Sequence, residues 1–117
     1  MPRSVAAYLA DVIEACDAIA AVLDGVDLRS YVSQRSIRSS VERELIIIGE
    51  AVAGIRRATP ELVERITDAR LIVGLRNVLA HDYAAVDDDA VYGVATQDLG
   101  VLRRQCAELL DRFEASG

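Results

Sequence analysis

The spacing of apolar residues is the feature that most constrains the fold of this chain. In three long stretches these residues recur at steps of three and four, which is the period of one face of an α-helix. The first stretch carries Val5, Leu9, Val12, Cys16, Ile19 and Leu23. The second carries Val41, Leu45, Ile48, Val52 and Ile55, and the third carries Val91, Ala95, Leu99, Leu102, Cys106, Leu109 and Phe113. The pattern predicts long amphipathic helices.

Capping signals and chain breakers indicate where the helices begin and end. Ser4 is a suitable N-cap for the first helix, and Gly25 follows its end. Pro60 restarts a short helix, and Asp68 can cap a further one that reaches about residue 80. Only two prolines and seven glycines interrupt the chain. These signals predict an all-α protein, an up-and-down bundle of four to five helices that forms a single domain over residues 1–117.

Two features near the ends of these helices have structural interpretations. Gly74 lies inside the helix predicted after Asp68, where a glycine costs about 1 kcal/mol relative to alanine unless close packing uses the missing side chain. Residues 87–89 are three consecutive aspartates before the last helix. Because consecutive side chains point in different directions, we interpret them as an acidic cap and first turn rather than as ligands of a divalent cation. No metal site is predicted.

Composition limits the location and the partners of the chain. No apolar run approaches the roughly 18 residues of a membrane span, and acidic residues near the N-terminus do not fit a secretory signal, so a cytoplasmic protein without membrane contact is predicted. The two cysteines are predicted to be buried thiols. The 13 basic residues are all arginine and the 19 acidic residues give a net charge of −6. This balance disfavours a general nucleic-acid coat but allows a small, locally basic cleft.

One short segment concentrates polar groups where an apolar helix ends. It reads Arg76-Asn77-Val78-Leu79-Ala80-His81-Asp82-Tyr83 and contains the only histidine of the chain. On a regular helix the side chains of Arg76 and His81 would point about 140° apart. They could meet at one phosphate only if the helix ends near His81, or if a symmetry-related copy supplies the other half.

These residue types suit the transfer of a phosphodiester to a neighbouring ribose hydroxyl. Histidine exchanges protons near neutral pH, and arginine binds the phosphate as its negative charge grows. Asn77 could orient His81 or bind the phosphate, and Tyr83 could stack on a base or carry a modification. A purely structural interpretation is also open, in which Arg76 pairs with a carboxylate at a helix end and His81 caps the C-terminus of its helix.

The arrangement Arg-Asn-x3-His-x-Tyr resembles the signature of HEPN proteins, and specifically of the HepT group that is encoded beside minimal nucleotidyltransferases. Three other segments agree with that group in order and spacing, at residues 8–15, 47–51 and 98–103. The likeness extends over roughly residues 5–113. The chain departs from the group at residues 68–72, where an aromatic residue is usual, and at residues 84–85, where Phe-Gly is usual.

The resemblance implies a homodimeric HEPN bundle in which two copies of the motif share one cleft. It implies an RNA-cleaving toxin that needs no metal or other cofactor, with Arg76 and His81 as the catalytic pair, Asn77 and Glu50 in supporting or RNA-binding roles, and tRNA as the expected substrate class. It also implies an antitoxin, a separate MntA-like nucleotidyltransferase that transfers AMP from ATP to Tyr83. The alternative is a non-catalytic subunit that docks such a nucleotidyltransferase or presents substrate to it, which fits the acidic net charge.

Overall fold

Helices make up nearly all of the regular structure. A computed structural model describes the backbone of residues 3–116 and the side chains within that range except those of Tyr83 and Ser116. No strand is present among these residues, which confirms the all-α prediction. None of the described helices combines the length and the apolar character that crossing a lipid bilayer requires.

The helices are α1 (Val5–Leu23), α2 (Leu28–Ser33), α3 (Arg35–Ala58), α4 (Pro60–Val63), α5 (Ala69–His81), α6 (Asp88–Gly93) and α7 (Leu99–Ser116). A 3-10 turn at Tyr83–Ala85 follows α5, and a π-helical segment at Val94–Asp98 joins α6 to α7.

Helix α3 lies at the centre of the bundle. It packs against α1 and against α5, and α1 packs in turn against α7. The predicted apolar stripes face this common core, whose buried side chains include Leu9, Val12 and Ile19 of α1 and Leu99 and Leu102 of α7. Burial of one such side chain contributes about 1.5–3 kcal/mol, so the stripes hold the bundle together. The predicted up-and-down bundle is confirmed, with two differences in its elements. A short helix, α2, precedes α3, and the last predicted helix is divided into α6, the π-helical segment and α7, so seven α-helices lie in the described range rather than four to five.

The third stripe reaches less far along the last helix than its spacing predicts. Leu109 is buried, but Phe113, one turn later, is 39% exposed. The stripe of the last helix therefore contributes to the core only up to Leu109.

Side-chain caps confirm two of the predicted helix starts. The Oγ of Ser4 accepts a hydrogen bond from the backbone N–H of Ala7 at 3.1 Å. The carboxylate of Asp87 accepts hydrogen bonds from the backbone N–H groups of Asp89 and Ala90 at 3.0 and 3.3 Å. Such caps contribute about 1 kcal/mol each. The acidic residues 87–89 therefore serve the start of α6, as interpreted.

The predicted cap at Asp68 is wrong. Asp68 precedes α5, but its backbone takes the left-handed conformation with φ of 60°, and its side chain makes no capping hydrogen bond. The turn before α5 is held from α7 instead. The Oε1 of Gln105 accepts a hydrogen bond from the backbone N–H of Thr67 at 2.9 Å, and its Nε2 donates to the Oγ1 of Thr67 at 2.8 Å. A contact between distant segments replaces the local cap.

Cys16 and Cys106 are buried, unpaired thiols, as predicted. Burial raises the pKa of each thiol to about 12. Both groups therefore stay protonated at neutral pH. Because the thiolate is the nucleophile and the metal ligand, neither cysteine is suited to covalent chemistry or to metal binding.

Candidate functional site

The segment predicted to carry the chemistry lies at the C-terminal end of α5. The helix continues through His81, and the backbone N–H of Asp82 donates to the carbonyl oxygen of Val78 at 2.9 Å. Because His81 itself has helical geometry, its side chain leaves α5 about 140° away from that of Arg76. Among the described residues no hydrogen bond or ion pair joins the two. One copy of the chain therefore presents its two predicted catalytic groups on different sides of one helix.

Arg76 lies at a close approach of α5 to α3. A Cβ atom added to Gly49 of α3 would lie 2.2 Å from the Cβ of Arg76. Arg76 is half-buried, and its Nε atom is buried without a hydrogen-bond partner in the described part of the chain. No described carboxylate forms an ion pair with it, so the interpretation of Arg76 as a partner for a helix-end carboxylate has no support here. A buried N–H without an acceptor is well suited to binding an anion.

His81 and Asn77 lie together on an exposed face of α5. They are four residues apart, which places them about 40° from each other around the helix. Both side chains are exposed, and neither makes a hydrogen bond with another described residue. The structure brings these two predicted site residues together and leaves both accessible to a ligand.

The other two predicted site residues, Glu50 and Tyr83, make no described hydrogen bond or ion pair with Arg76 or His81. Glu50 follows Gly49 on α3 and is exposed, and it forms no ion pair with Arg76 among the described residues. Tyr83 begins the 3-10 turn two residues after His81. Its side chain lies outside the described part of the structure, so the backbone alone places the predicted modification site.

Acidic groups surround the start of α6, just after the motif. The carboxylate of Asp88 lies 3.8 Å from the Nε of Arg38, and a guanidinium nitrogen of Arg38 also donates to the carbonyl oxygen of Val32. Burial raises the pKa of Glu42 above its usual value, and the negative charge of Asp88 adds to the effect. Arg38 is thus engaged in holding α2, α3 and α6 together. Among the described residues no cluster of histidine, cysteine, aspartate and glutamate side chains suits a metal ion.

An apolar groove lies beside α5 but does not contain the motif. It has a volume of about 420 Å³ and separates α5 from the α6–α7 segment. Its apolar lining comes from Leu71, Ile72, Leu75, Val94, Leu99 and Leu102. Leu71 is 70% exposed at its edge. The predicted chemistry therefore lies outside this groove, on the polar sides of α5.

Gly49 was not among the site residues predicted from the sequence. The close packing considered for Gly74 is absent, since a Cβ atom there would meet nothing within 4 Å. The close approach of α5 to α3 occurs at Gly49 instead. A glycine in the middle of a 24-residue helix, directly before Glu50, is the signal that could have pointed to this contact.

Comparisons with known proteins agree with the family that the sequence resembles. A family model described as "HepT-like: Ribonuclease HepT-like" matches residues 12–109. Two proteins of Methanocaldococcus jannaschii that carry the name "Putative RNase" are similar to the chain. One is 28% identical over 103 residues, covering 88% of this chain and 94% of its own length. The other is 27% identical over 112 residues, covering 96% and 92%. A protein of the same name from Caldanaerobacter subterraneus subsp. tengcongensis is 24% identical over 105 residues, covering 90% and 93%. No solved structure matches the chain significantly.

Proposed function

Because the chain belongs to the HepT-like ribonuclease family of the HEPN superfamily, we propose that it is a metal-independent RNA endonuclease and the toxin of a toxin–antitoxin pair. Arg76 would bind the scissile phosphate, and His81 would transfer protons. The observation that carries the proposal is the buried Nε–H of Arg76, which has no acceptor within the described part of the chain. An unsatisfied buried donor costs about 1–3 kcal/mol, and an oxygen of a bound phosphate would satisfy it.

The proposed reaction transfers the phosphodiester within the RNA strand. The ribose 2′-oxygen attacks the phosphorus and loses its proton to a base, while the 5′-oxygen of the next nucleotide leaves with a proton from an acid. The products are a 2′,3′-cyclic phosphate and a 5′-hydroxyl group. Imidazole can act as the base or as the acid. The guanidinium of Arg76 would stabilise the charge that grows on the non-bridging phosphate oxygens.

We propose further that two copies of the chain complete the site as a homodimer. Each chain carries a single histidine, so a dimer supplies one imidazole for each of two sites. Within one chain, Arg76 and His81 also leave α5 on different sides. A two-fold axis between two motifs would set the partner's His81 against Arg76 and would generate two equivalent sites. Asn77, on the face of His81, and Glu50, beside the contact of Arg76, keep supporting or RNA-binding roles in this arrangement.

The test of this function is RNA cleavage without metal ions. Purified protein, shown by intact mass to carry no AMP, is incubated with total tRNA in the presence of EDTA. We expect discrete fragments that end in a 2′,3′-cyclic phosphate, because that end group is the product of 2′-oxygen attack. The fragments are resolved on a denaturing gel, and their ends are identified by sensitivity to a cyclic phosphodiesterase.

Two outcomes would contradict the proposal in different ways. Cleavage that appears only when a divalent cation replaces EDTA would exclude the metal-independent mechanism. Absence of cleavage of tRNA, ribosomal RNA and messenger RNA by an unmodified dimer would favour the alternative of a non-catalytic subunit that partners a nucleotidyltransferase.

The proposed off switch is the addition of AMP to Tyr83 by an MntA-like nucleotidyltransferase antitoxin. The position of Tyr83 in the chain supports it, since this residue begins the turn immediately beyond His81. AMP on that hydroxyl would add bulk and negative charge beside a phosphate-binding site, which repels an RNA backbone.

Replacing Tyr83 with phenylalanine is expected to separate cleavage from its control. Incubation with ATP and a cognate nucleotidyltransferase should raise the mass of the wild-type chain by one AMP and stop RNA cleavage. Tyr83→Phe should gain no mass and continue to cleave. Tyr92→Phe is the matched control. It removes a partly buried hydroxyl that donates to the carbonyl oxygen of Val26 at 2.6 Å, and this variant should be modified like the wild type. Modification of Tyr83→Phe would place the acceptor elsewhere.

A further inference from the structure

We propose that Gly49 of α3 is a positioning residue for Arg76. The absence of a side chain at Gly49 lets the base of the Arg76 side chain lie directly on the backbone of α3, and this contact fixes where the guanidinium is presented. The catalytic consequence rests on the proposed ribonuclease function. The contact itself can be tested without it.

The distances show that the contact requires glycine. A Cβ atom on Gly49 would lie 2.2 Å from the Cβ and 2.8 Å from the Cγ of Arg76, and 3.3 Å from the carbonyl oxygen of Ile72. Non-bonded carbon atoms normally rest about 3.5–4.0 Å apart. The atoms that would overlap belong to the root of the Arg76 side chain and to the backbone of α5. A change of rotamer would move the Cγ of Arg76 but not its Cβ, so the helix that carries Arg76 would have to shift by about 1 Å.

The burial of Arg76 follows from the same contact. Its Nε is buried although the residue as a whole is only half-buried and no described carboxylate pairs with it. Because the stem of the Arg76 side chain is held against α3, the side chain has less conformational freedom even before a phosphate binds. Such preorganisation matters in catalysis, because a misplacement of about 1 Å can cost about 100-fold in rate.

The chain offers a matched control on the same helix. A Cβ atom on Gly54, also buried in α3, would lie 2.4, 2.5 and 2.8 Å from ring atoms of Tyr8 on α1. Gly49→Ala and Gly54→Ala therefore introduce the same methyl group at similar overlap distances. At Gly54 the atoms met are the far end of the Tyr8 side chain, and only Gly49→Ala acts on Arg76. Gly74→Ala on α5 meets no atom within 4 Å and controls for the substitution as such.

The first measurement observes Arg76 directly. In a ¹⁵N-labelled sample the 13 basic residues, all arginine, each give one Nε–H signal, and the spectrum of Arg76→Lys identifies that of Arg76. A buried Nε–H should exchange slowly with water. We expect Gly49→Ala to shift this signal and speed its exchange, while Gly54→Ala and Gly74→Ala leave it unchanged. An unchanged Arg76 signal in Gly49→Ala would overturn the proposal whether or not the protein cleaves RNA.

The second measurement is the rate of RNA cleavage at a temperature where all variants are folded. We expect Gly49→Ala to lose about 100-fold and Gly54→Ala to stay within a few-fold of the wild type. In an Arg76→Ala background, Gly49→Ala should cause no further loss, because coupled residues are not additive. Equal losses of cleavage rate in Gly49→Ala and Gly54→Ala would show that Gly49 has a merely structural role. The same conclusion would follow if the losses caused by Gly49→Ala and Arg76→Ala were fully additive.

A size exchange keeps the contact testable if Gly49→Ala does not fold. The double variant Gly49→Ala/Arg76→Gly removes the overlapping Cβ and Cγ atoms from α5 and should recover most of the lost thermal stability. The same Arg76→Gly change should give no recovery in combination with Gly54→Ala. Equal recovery in both pairs would overturn the contact on which the proposal rests.

Discussion

Replacing His81 with alanine is expected to reduce the rate of RNA cleavage by about 10²–10⁴-fold, the usual contribution of a general acid or base. His81 is the only histidine of the chain, so no second imidazole of that copy can take over proton transfer. The thiols of Cys16 and Cys106 cannot replace it, since burial holds the pKa of each at about 12. The measurement is the single-turnover cleavage rate of tRNA in EDTA.

The fold should tolerate this change. His81 is the last residue of α5, it is exposed, and it makes no hydrogen bond with the described residues. Exposed substitutions away from such contacts usually change stability by about 0.5 kcal/mol or less. Gln97→Ala is the matched control, because Gln97 is an exposed, uncharged residue of the π-helical segment. This variant should cleave RNA within about twofold of the wild-type rate. A His81→Ala protein that unfolds at the wild-type temperature and still cleaves at the wild-type rate would end the catalytic interpretation.

The second large effect is the recovery of activity when two inactive variants are mixed. Arg76→Ala and His81→Ala are each expected to lose about 100-fold or more. In a mixed dimer, one of the two sites would combine an intact Arg76 from one copy with the partner's intact His81. Random exchange of subunits makes about half of the dimers mixed, and each holds one intact site of two, so about a quarter of the wild-type rate should return.

The geometry of α5 is the reason to expect this recovery. Because Arg76 and His81 leave the helix about 140° apart, a site made within one chain would need the helix to unwind before His81, and it remains helical through that residue. Each variant mixed with a differently tagged sample of itself is the control and should remain inactive. If subunit exchange is verified by mass and the mixture stays inactive, both groups must act from the same chain.

The helices could be predicted from the sequence because their signals are local. Alternating steps of three and four identify the buried face of α1 and α3 from neighbouring residues alone, and Ser4 and Asp87 are read as caps from one turn of sequence. The cap at Asp68 was predicted wrongly because the turn before α5 is held by Gln105, which lies 38 positions away from Thr67. No local pattern contains such a contact.

In the candidate site, too, local features could be predicted from the sequence and contacts between helices could not. The motif, its position at a helix end and the separation of Arg76 from His81 follow from spacing on one helix. The contact between Arg76 and Gly49 does not, because it depends on where α5 crosses α3. The sequence pointed to Gly74 instead, where an added Cβ atom would meet no atom within 4 Å. A glycine that permits close helix packing cannot be distinguished in the sequence from one that faces solvent, because the position of the partner helix is not known.

The π-helical segment at Val94–Asp98 has a consequence for how the length of such chains can vary in evolution. A π turn holds about one residue more than an α turn. The buried residues Val91, Ala95 and Leu99 accordingly follow one another at two successive steps of four. Loss of a single residue here would leave an ordinary α-helical turn, with α7 still facing α1. The same deletion inside α3 would rotate the rest of that helix by about 100° and expose half of its apolar stripe. Single-residue insertions and deletions among relatives are therefore expected to collect in this segment and to be absent from α3.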